Sequence, residues 1–128
     1  MPRKAQDVTD AELAVLQVLW DRGAATVRDI VDELYPAGTP SDLATVQKLL
    51  QRLEEKGCLG RNRNAWPHIF RPAIQREDLI GRRLQSTADE LCAGSFSPLL
   101  THLVKSQRLS RKDRETLREL LDEFEKKK

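Results

Sequence analysis

An amphipathic helix that passes directly into a short hairpin is the feature that most constrains the fold of this chain. The helix is predicted to begin at Ser41 or Asp42, and Gly57 ends its apolar pattern. Apolar residues recur every three or four positions between these limits, which is typical of a helix with one buried face. The predicted core-facing residues are Leu43, Val46, Leu49, Leu50 and Leu53.

The hairpin is predicted from the residues that follow Gly57. Segments 58–60 and 68–71 are short enough to be two strands, and Pro72 ends the second segment. The polar residues 61–67 are predicted to form the loop between the two strands. The chain therefore turns from helix to antiparallel hairpin with no linker between them.

Two further helices are predicted before this segment. Thr9 and Glu12 have the spacing of a capping box, so the first helix is expected to begin after Thr9 and to end at Gly23. Thr26 is the candidate N-cap of the second helix, which ends before the Pro- and Gly-rich residues 36–40. Three helices and a hairpin form the order of a winged helix-turn-helix. In that fold the third helix enters the DNA major groove, and the hairpin, or wing, reaches the neighbouring backbone.

Three more helices are predicted beyond the hairpin. The fourth spans residues 76–91, Ser97 and Pro98 begin the fifth as N-cap and first helical residue, and Ser110 caps the sixth. Such short helices cannot bury their apolar stripes within about 50 residues. We expect a second copy of the chain to cover them; the alternative is that the sixth helix folds back on the winged helix. The predicted dimerisation residues are Ile80, Leu84, Leu91, Leu99, Leu100, Leu103, Val104, Leu117, Leu120, Leu121 and Phe124.

The predicted fold class is mainly α, with two parts. Residues 1–74 are expected to form a winged-helix DNA-binding domain, and residues 75–128 a helical dimerisation domain. No apolar run of about 18 residues and no apolar signal core occur, so a cytoplasmic protein without a membrane partner is expected. The formal net charge of +2 does not identify a nucleic-acid partner by itself.

Positive charge is concentrated in the helix and hairpin. Residues 41–72 contain six basic and three acidic residues, whereas residues 1–40 contain four basic and seven acidic ones. Thr45, Lys48 and Arg52 recur at i, i+3 and i+7 and share an outer helix face. Double-stranded DNA is the expected partner, because such side chains bind phosphates and base edges. The predicted DNA-binding residues are Ser41, Ala44, Thr45, Lys48, Gln51, Arg52, Arg61, Asn62 and Arg63.

Other functional classes have less support in the sequence. No nucleophile paired with a base, glycine-rich phosphate loop or HExxH motif occurs, so catalysis is not expected. Cys58, Cys92, His68 and His102 are scattered rather than spaced as metal-ligand pairs, so no metal or other cofactor is expected. Two alternatives stay open: a winged-helix module that binds protein instead of DNA, and a thiol-based redox-responsive regulator.

Three motifs resemble the penicillinase-repressor family (BlaI/MecI/CopY type). They are ELAVLQVLW in the first helix, TVQKLLQRLEEKG in the third, and LSRKDRETLRELL near the end of the chain. The resemblance covers roughly residues 8 to 125 and implies a dimeric winged-helix repressor on a palindromic operator. It implies that Thr45, Lys48 and Arg52 lie on the recognition helix, that Arg61 to Asn64 form the wing tip, and that Arg76 to Lys126 dimerise.

Two details depart from what the family implies about induction. Antibiotic-responsive members are cleaved at an Asn-Phe bond in the fifth helix after a membrane sensor is triggered, and the matching pair is His102-Leu103. Copper-responsive members have C-terminal Cys-x-Cys motifs, whereas this chain ends in three lysines, Lys126 to Lys128. Cleavage at that bond and copper sensing are therefore not expected, and the upstream sensor or protease is unknown.

Overall fold

Six helices and one hairpin make up the described part of the chain, residues 8–106 and 108–126, in a computed structural model. The predicted mainly α class is confirmed. The residues before Val8 that enter the charge comparison, and the last two lysines, lie outside the described residues. The elements are α1 (Asp10–Arg22), α2 (Val27–Leu34), α3 (Pro40–Glu55), β1 (Leu59–Asn62), β2 (Ile69–Pro72), α4 (Arg76–Leu91), α5 (Ser97–Lys105) and α6 (Arg111–Lys126).

Capping boxes begin α1 and α2, as the sequence predicts for α1. The Thr9 hydroxyl accepts the Glu12 backbone N–H at 3.2 Å, and the Glu12 carboxylate accepts the Thr9 N–H at 2.9 Å. Thr26 and Asp29 make the same pair of bonds before α2. Gly23 ends α1 with a positive φ of 85°, a conformation that favours glycine. Both helix starts predicted at threonines are therefore confirmed.

The start of α3 corrects the sequence prediction. The helix begins at Pro40, not at Ser41 or Asp42, and Thr39 is its N-cap. Thr39 accepts the Asp42 N–H at 3.1 Å and Asp42 accepts the Thr39 N–H at 3.1 Å. Proline is well suited to the first helical position, because that residue donates no intrahelical hydrogen bond. Gly57, with φ 78°, follows the end of α3 as predicted.

The hairpin is longer at its first strand than predicted. β1 and β2 pair antiparallel from Leu59 opposite Pro72 to Asn62 opposite Ile69. Arg61 and Asn62 therefore lie in β1 rather than in the loop or at the wing tip, because the ladder continues through both polar residues. The observed strands begin at Leu59 and Ile69, one residue after each predicted start. Arg61 and Asn62 are polar residues that do not favour strands, so the sequence does not predict their pairing.

The first compact unit ends at Leu79 and the second begins at Ile80. Leu79 and Ile74 are both buried in the core of the first unit. Phe70 of β2 exchanges two backbone hydrogen bonds with Ala25, at 2.8 and 3.0 Å, which fixes the hairpin to the segment between α1 and α2. The largest fully buried apolar side chains come from all three helices and are Leu16, Leu19, Ile30, Leu50 and Leu53.

A buried ion pair joins the two ends of the helical core. Glu12 of α1 is completely buried, and its Oε1 accepts a hydrogen bond from Lys56 Nζ at 2.6 Å. Burial alone raises the pKa of the Glu12 carboxyl. The hydrogen bonds from Lys56 and the Thr9 backbone and the charge of Lys56 outweigh burial, so the pKa is lowered below 4.5. The pair connects the start of α1 to the residue that follows α3.

Glu12→Gln is expected to lower the free energy of unfolding by about 2 kcal/mol at pH 7, because it removes the charge that pairs with Lys56. The folded-state pKa of Glu12 is lowered, so its contribution is complete above about pH 4.5 and is lost as the pH falls through the folded value. The difference between the two proteins should therefore shrink below pH 4.5. Urea unfolding of the wild type and Glu12→Gln at several pH values measures this difference in unfolding free energy.

Glu77→Gln provides the matched control for this pH experiment. Glu77 is exposed in the first turn of α4, so its replacement should change the unfolding free energy by less than about 0.5 kcal/mol. Equal stability of Glu12→Gln and the wild type at pH 7 would contradict a stabilising role for the buried pair.

The second unit contains a corrected helix cap and a confirmed one. Phe96 is the N-cap of α5, so Ser97 is the first helical residue rather than the cap. Ser95 takes over part of the capping role, because its hydroxyl accepts the Ser97 N–H at 3.2 Å. Ser110 caps α6 as predicted: its hydroxyl accepts the Asp113 N–H at 3.0 Å, and Asp113 accepts the Ser110 N–H at 3.2 Å.

Candidate nucleic-acid interface

The outer face of α3 presents every predicted helix contact to solvent. Val46, Leu50 and Leu53 are buried on the opposite side of the helix, which fixes its rotation against α1 and α2. Five of the six predicted residues of α3 line one shallow depression, and Gln51 lies beside it. The six residues of this face are Ser41, Ala44, Thr45, Lys48, Gln51 and Arg52.

Two residues on this face are long cations available to a ligand. Within the described part of the chain, no side chain forms an ion pair with Lys48 or Arg52. Thr45 differs, since its hydroxyl donates to the Ser41 carbonyl oxygen at 3.0 Å. Thr45 therefore offers an acceptor and a methyl group rather than a free donor, which suits a base edge better than a phosphate.

The two wing arginines have different surroundings, although both contact Glu54 of α3. Arg61 Nη2 donates to Glu54 Oε1 at 2.9 Å, and its guanidinium lies 4.9 Å from the centre of the Phe70 ring. Only 20% of the Arg61 side chain is exposed, whereas 64% of the Arg63 side chain is exposed and its Nη2 lies 3.4 Å from Glu54 Oε2. Arg61 is thus part of the packing between wing and helix, and Arg63 reaches solvent.

The predicted wing residue Asn62 shapes the turn of the hairpin. Its Oδ1 accepts the Asn64 backbone N–H at 3.0 Å, a local bond typical of asparagine in turns. Asn62 and Asn64 are both exposed, so the rest of each side chain faces solvent. The loop that carries Arg63 is therefore ordered by its own side chains.

A cleft opens between α3 and the wing, next to the exposed helix face, and Gln51 belongs to both. We call it the wing cleft. Its floor is apolar, with Leu43 and Leu50 among its residues, and its rim includes Gln51. Of the lining residues, only Gln51 and Arg61 are among the predicted DNA-binding residues. The others include Arg28, Gln47, Trp66 and His68, whose positions carry no charge cluster or motif in the sequence.

The second unit exposes an apolar surface on all three of its helices. Ala88 is the only buried residue of α4 within this unit, and neither α5 nor α6 has a buried residue in its described part. Among the predicted dimerisation residues, all but the half-buried Leu99 are exposed, from 37% for Leu117 to 79% for Leu91. Phe96, at the start of α5, is also exposed and was not predicted. A single chain thus leaves the apolar stripes of these helices uncovered.

Known proteins resemble the chain over nearly its full length. Residues 8–123 match the model of the penicillinase repressor family. This chain belongs to that family. It is 25% identical to the penicillinase repressor of Bacillus licheniformis over 126 residues, which cover 98% of each chain. It is 24% identical to the penicillinase repressor of Staphylococcus aureus over 127 residues, 99% of this chain and all of that one.

A solved structure supports the fold of the first unit. The solution structure of the DNA binding domain of the repressor BlaI is 30% identical, with a TM-score of 0.50. The match covers 60% of this chain and 93% of that domain. The predicted winged helix is therefore confirmed, and the membership of a repressor family agrees with the prediction that the chain is not an enzyme.

The described residues include two cysteines but no candidate metal site and no membrane-spanning helix. In residues 8–106 and 108–126, no three His, Cys, Asp or Glu side chains are grouped so that they could hold a metal ion. None of the helices in these ranges is both long enough and apolar enough to span a membrane. Cys58 is buried and Cys92 is half-buried, and both are thiols outside any disulfide.

Proposed function

We propose that this protein represses transcription by binding operator DNA in a sequence-specific manner as a homodimer. The observation that carries the proposal is the outer face of α3, where Lys48 and Arg52 are exposed beside a basic wing. This face belongs to a unit with the fold of the BlaI DNA binding domain. A repressor bound over a promoter blocks access of the polymerase to the same DNA.

The arrangement of α3 and the wing suits a duplex. A helix fits the major groove, which is about 12 Å wide and displays a different pattern of donors and acceptors for each base pair. Arg52 is long enough to donate two hydrogen bonds to a guanine edge, and Lys48 suits a phosphate or a base. The small side chain of Ala44 allows the helix to approach the groove floor closely. The exposed Arg63 is placed to reach the next phosphate strand.

The homodimer is proposed from the uncovered helices of the second unit. Large exposed apolar surfaces mark association sites, because leaving them in water is unfavourable. The apolar row on α6 consists of Leu117, Leu120, Leu121 and Phe124. An apolar surface can pack against an identical one, so two copies related by a two-fold axis cover each other's rows. A dimer of winged helices reads two half-sites about one helical turn, or a multiple of it, apart, which predicts a palindromic operator.

The proposal is tested by binding of the purified protein to two labelled duplexes. One duplex contains the region upstream of the protein's own gene, and the other has the same composition in scrambled order. We expect tight binding to the first, falling with a log–log slope of about −0.9 per phosphate contacted as salt rises. Equal, weak binding to both duplexes at every salt concentration would contradict sequence-specific repression at this promoter and favour a protein partner for α3.

Arg63→Ala is expected to weaken binding to all duplexes alike and to reduce the salt slope by about 0.9 for each phosphate that the variant no longer neutralises. Its exposed guanidinium can leave Glu54 for a phosphate, because the distance between them is long and the pair is solvated. Titrations at several salt concentrations measure the slope. Arg61→Ala is the comparison. It should lower the melting temperature of the protein, because Arg61 packs the wing on α3 through Glu54 and Phe70. A smaller slope in Arg61→Ala, with no change in Arg63→Ala, would reverse the two roles.

A further inference from the structure

One large apolar side chain of the first unit lies outside its core. Trp66 is 86% exposed in the hairpin loop, and it is the only large hydrophobic residue exposed in residues 8–79. The other tryptophan, Trp20, is packed: its Nε1 donates to the Ile74 carbonyl oxygen at 2.9 Å, and Arg76 lies 5.0 Å from its ring centre. Because most of the Trp66 indole stays in water, its burial contributes little to folding, and its surface is available to a ligand.

A series of contacts holds Trp66 relative to α3. The Trp66 and His68 rings meet edge to face, with centres 5.1 Å apart and planes at 84°. His68 Nδ1 lies 3.4 Å from Arg61 Nη1, and Arg61 is paired with Glu54 on α3. The indole is therefore positioned before any ligand binds. Such preorganisation reduces the entropic cost of binding.

Trp66 borders the wing cleft, which adjoins the predicted recognition helix. It lines the wing cleft together with Gln47 and Gln51 of α3 and with Arg28 of α2. Arg28 is exposed near the N-terminus of α2, which adds a positive charge to the rim. When α3 lies in a major groove, the surface next to the wing is a phosphate strand and, beyond it, a minor groove. The occupant that matches a cationic rim and an exposed indole is therefore duplex DNA.

We propose that Trp66 is a DNA-contacting residue, with its indole packed against the deoxyribose and base edges of the minor groove beside the recognition helix. The proposal rests on the proposed DNA-binding function. Arg28 contacts the phosphate strand that separates the two grooves. Apolar side chains are used in this way in minor grooves, where sugars and base edges form apolar walls. Glu54, Arg61 and His68 act as positioning residues for the indole.

The experiment compares wild type, Trp66→Ala and Trp66→Phe on the labelled duplex from the protein's own upstream region. Trp66→Ala is expected to weaken binding by about tenfold to a hundredfold, the range of aromatic contacts with bases, and Trp66→Phe should recover most of that affinity. Unfolding midpoints should be the same for all three, since the side chain is exposed. Intrinsic emission gives a second readout. DNA should quench wild-type emission and shield it from acrylamide, and both effects should vanish in Trp66→Phe, which retains only the packed Trp20.

The outcomes separate this proposal from the one it rests on. If wild type binds the upstream duplex but Trp66→Ala binds it equally well and emission does not change, the Trp66 contact is overturned and DNA binding stands. If wild type binds neither the upstream nor the scrambled duplex, both proposals are overturned. If Trp66→Ala is less stable than wild type, the emission decides the result: DNA-dependent quenching and acrylamide shielding in the wild type that vanish in Trp66→Phe support the contact, and unchanged wild-type emission overturns it.

Discussion

Leu121→Asp is expected to convert the protein from a dimer to a monomer and to remove operator binding at concentrations where the wild type is fully bound. Leu121 lies in the exposed apolar row of α6, next to Leu117, Leu120 and Phe124. In a two-fold interface each substitution occurs twice, and each places a carboxylate among apolar side chains. A cost of about 3 kcal/mol for each copy raises the dimer dissociation constant by about four orders of magnitude.

Sedimentation equilibrium across a range of protein concentrations measures this change. Glu119→Lys is the matched control, because it changes two charge units on the opposite face of α6 and should leave the dimer intact. The first unit has its own core, so a folded monomer with wild-type signals from Trp20 is expected. A Leu121→Asp protein that sediments as the wild-type dimer would exclude the α6 row from the interface.

The helical part of the fold could be predicted because its signals are local. A threonine or serine three residues before an acidic residue favours the start of a helix, and Thr9 and Ser110 both begin one. Where two neighbouring residues could each be the N-cap, the sequence did not determine which residue begins the helix. Thr39-Pro40 outranks Ser41 at the start of α3, because the proline fits the first turn and Thr39 has Asp42 three residues later. At α5, Phe96 stands where Ser97 was expected.

The exposed helix face could also be predicted, whereas the state of the wing could not. Helical spacing alone places Lys48 and Arg52 away from the core, and the structure exposes both. The partners of Arg61 are Glu54, seven residues earlier, and Phe70, on the opposite strand. Their distances depend on strand register and on how the hairpin packs on α3. A count of charges includes neither the strand register nor the packing of the hairpin, so it predicts the same role for Arg61 and Arg63.

The exposure of Trp66 could not be predicted from the sequence either, because it also depends on tertiary contacts. A tryptophan between Ala65 and Pro67 is as compatible with a buried position as with an exposed one. Trp20 and Trp66 differ in the groups that the fold places beside them: Trp20 donates to the Ile74 carbonyl oxygen, and Trp66 contacts the His68 ring edge to face. Tertiary contacts therefore determined which of the two tryptophans became a candidate for ligand binding.

Replacing Lys48 and Arg52 together by alanine is expected to abolish the preference for operator over scrambled DNA and to lower operator affinity by at least about a thousandfold. A dimer is deprived of both residues in each of two half-sites, so four contacts disappear at once. Contacts of this kind contribute about 1–3 kcal/mol of discrimination each when they read a base. Fluorescence anisotropy on both duplexes at matched salt measures affinity and preference together.

The double variant should fold and dimerise as the wild type does, since both side chains are exposed and form no ion pair within residues 8–106 and 108–126.

Arg22→Ala is the matched control. Arg22 is an exposed arginine of the same unit, but it lies at the end of α1 and pairs with Asp29 and Glu33. Its removal should change operator affinity by less than about threefold, through long-range charge alone. Operator binding that survives in Lys48→Ala/Arg52→Ala would mean that another surface reads the DNA. An equally large decrease in Arg22→Ala would mean that net charge, rather than the position of Lys48 and Arg52 on α3, sets the affinity.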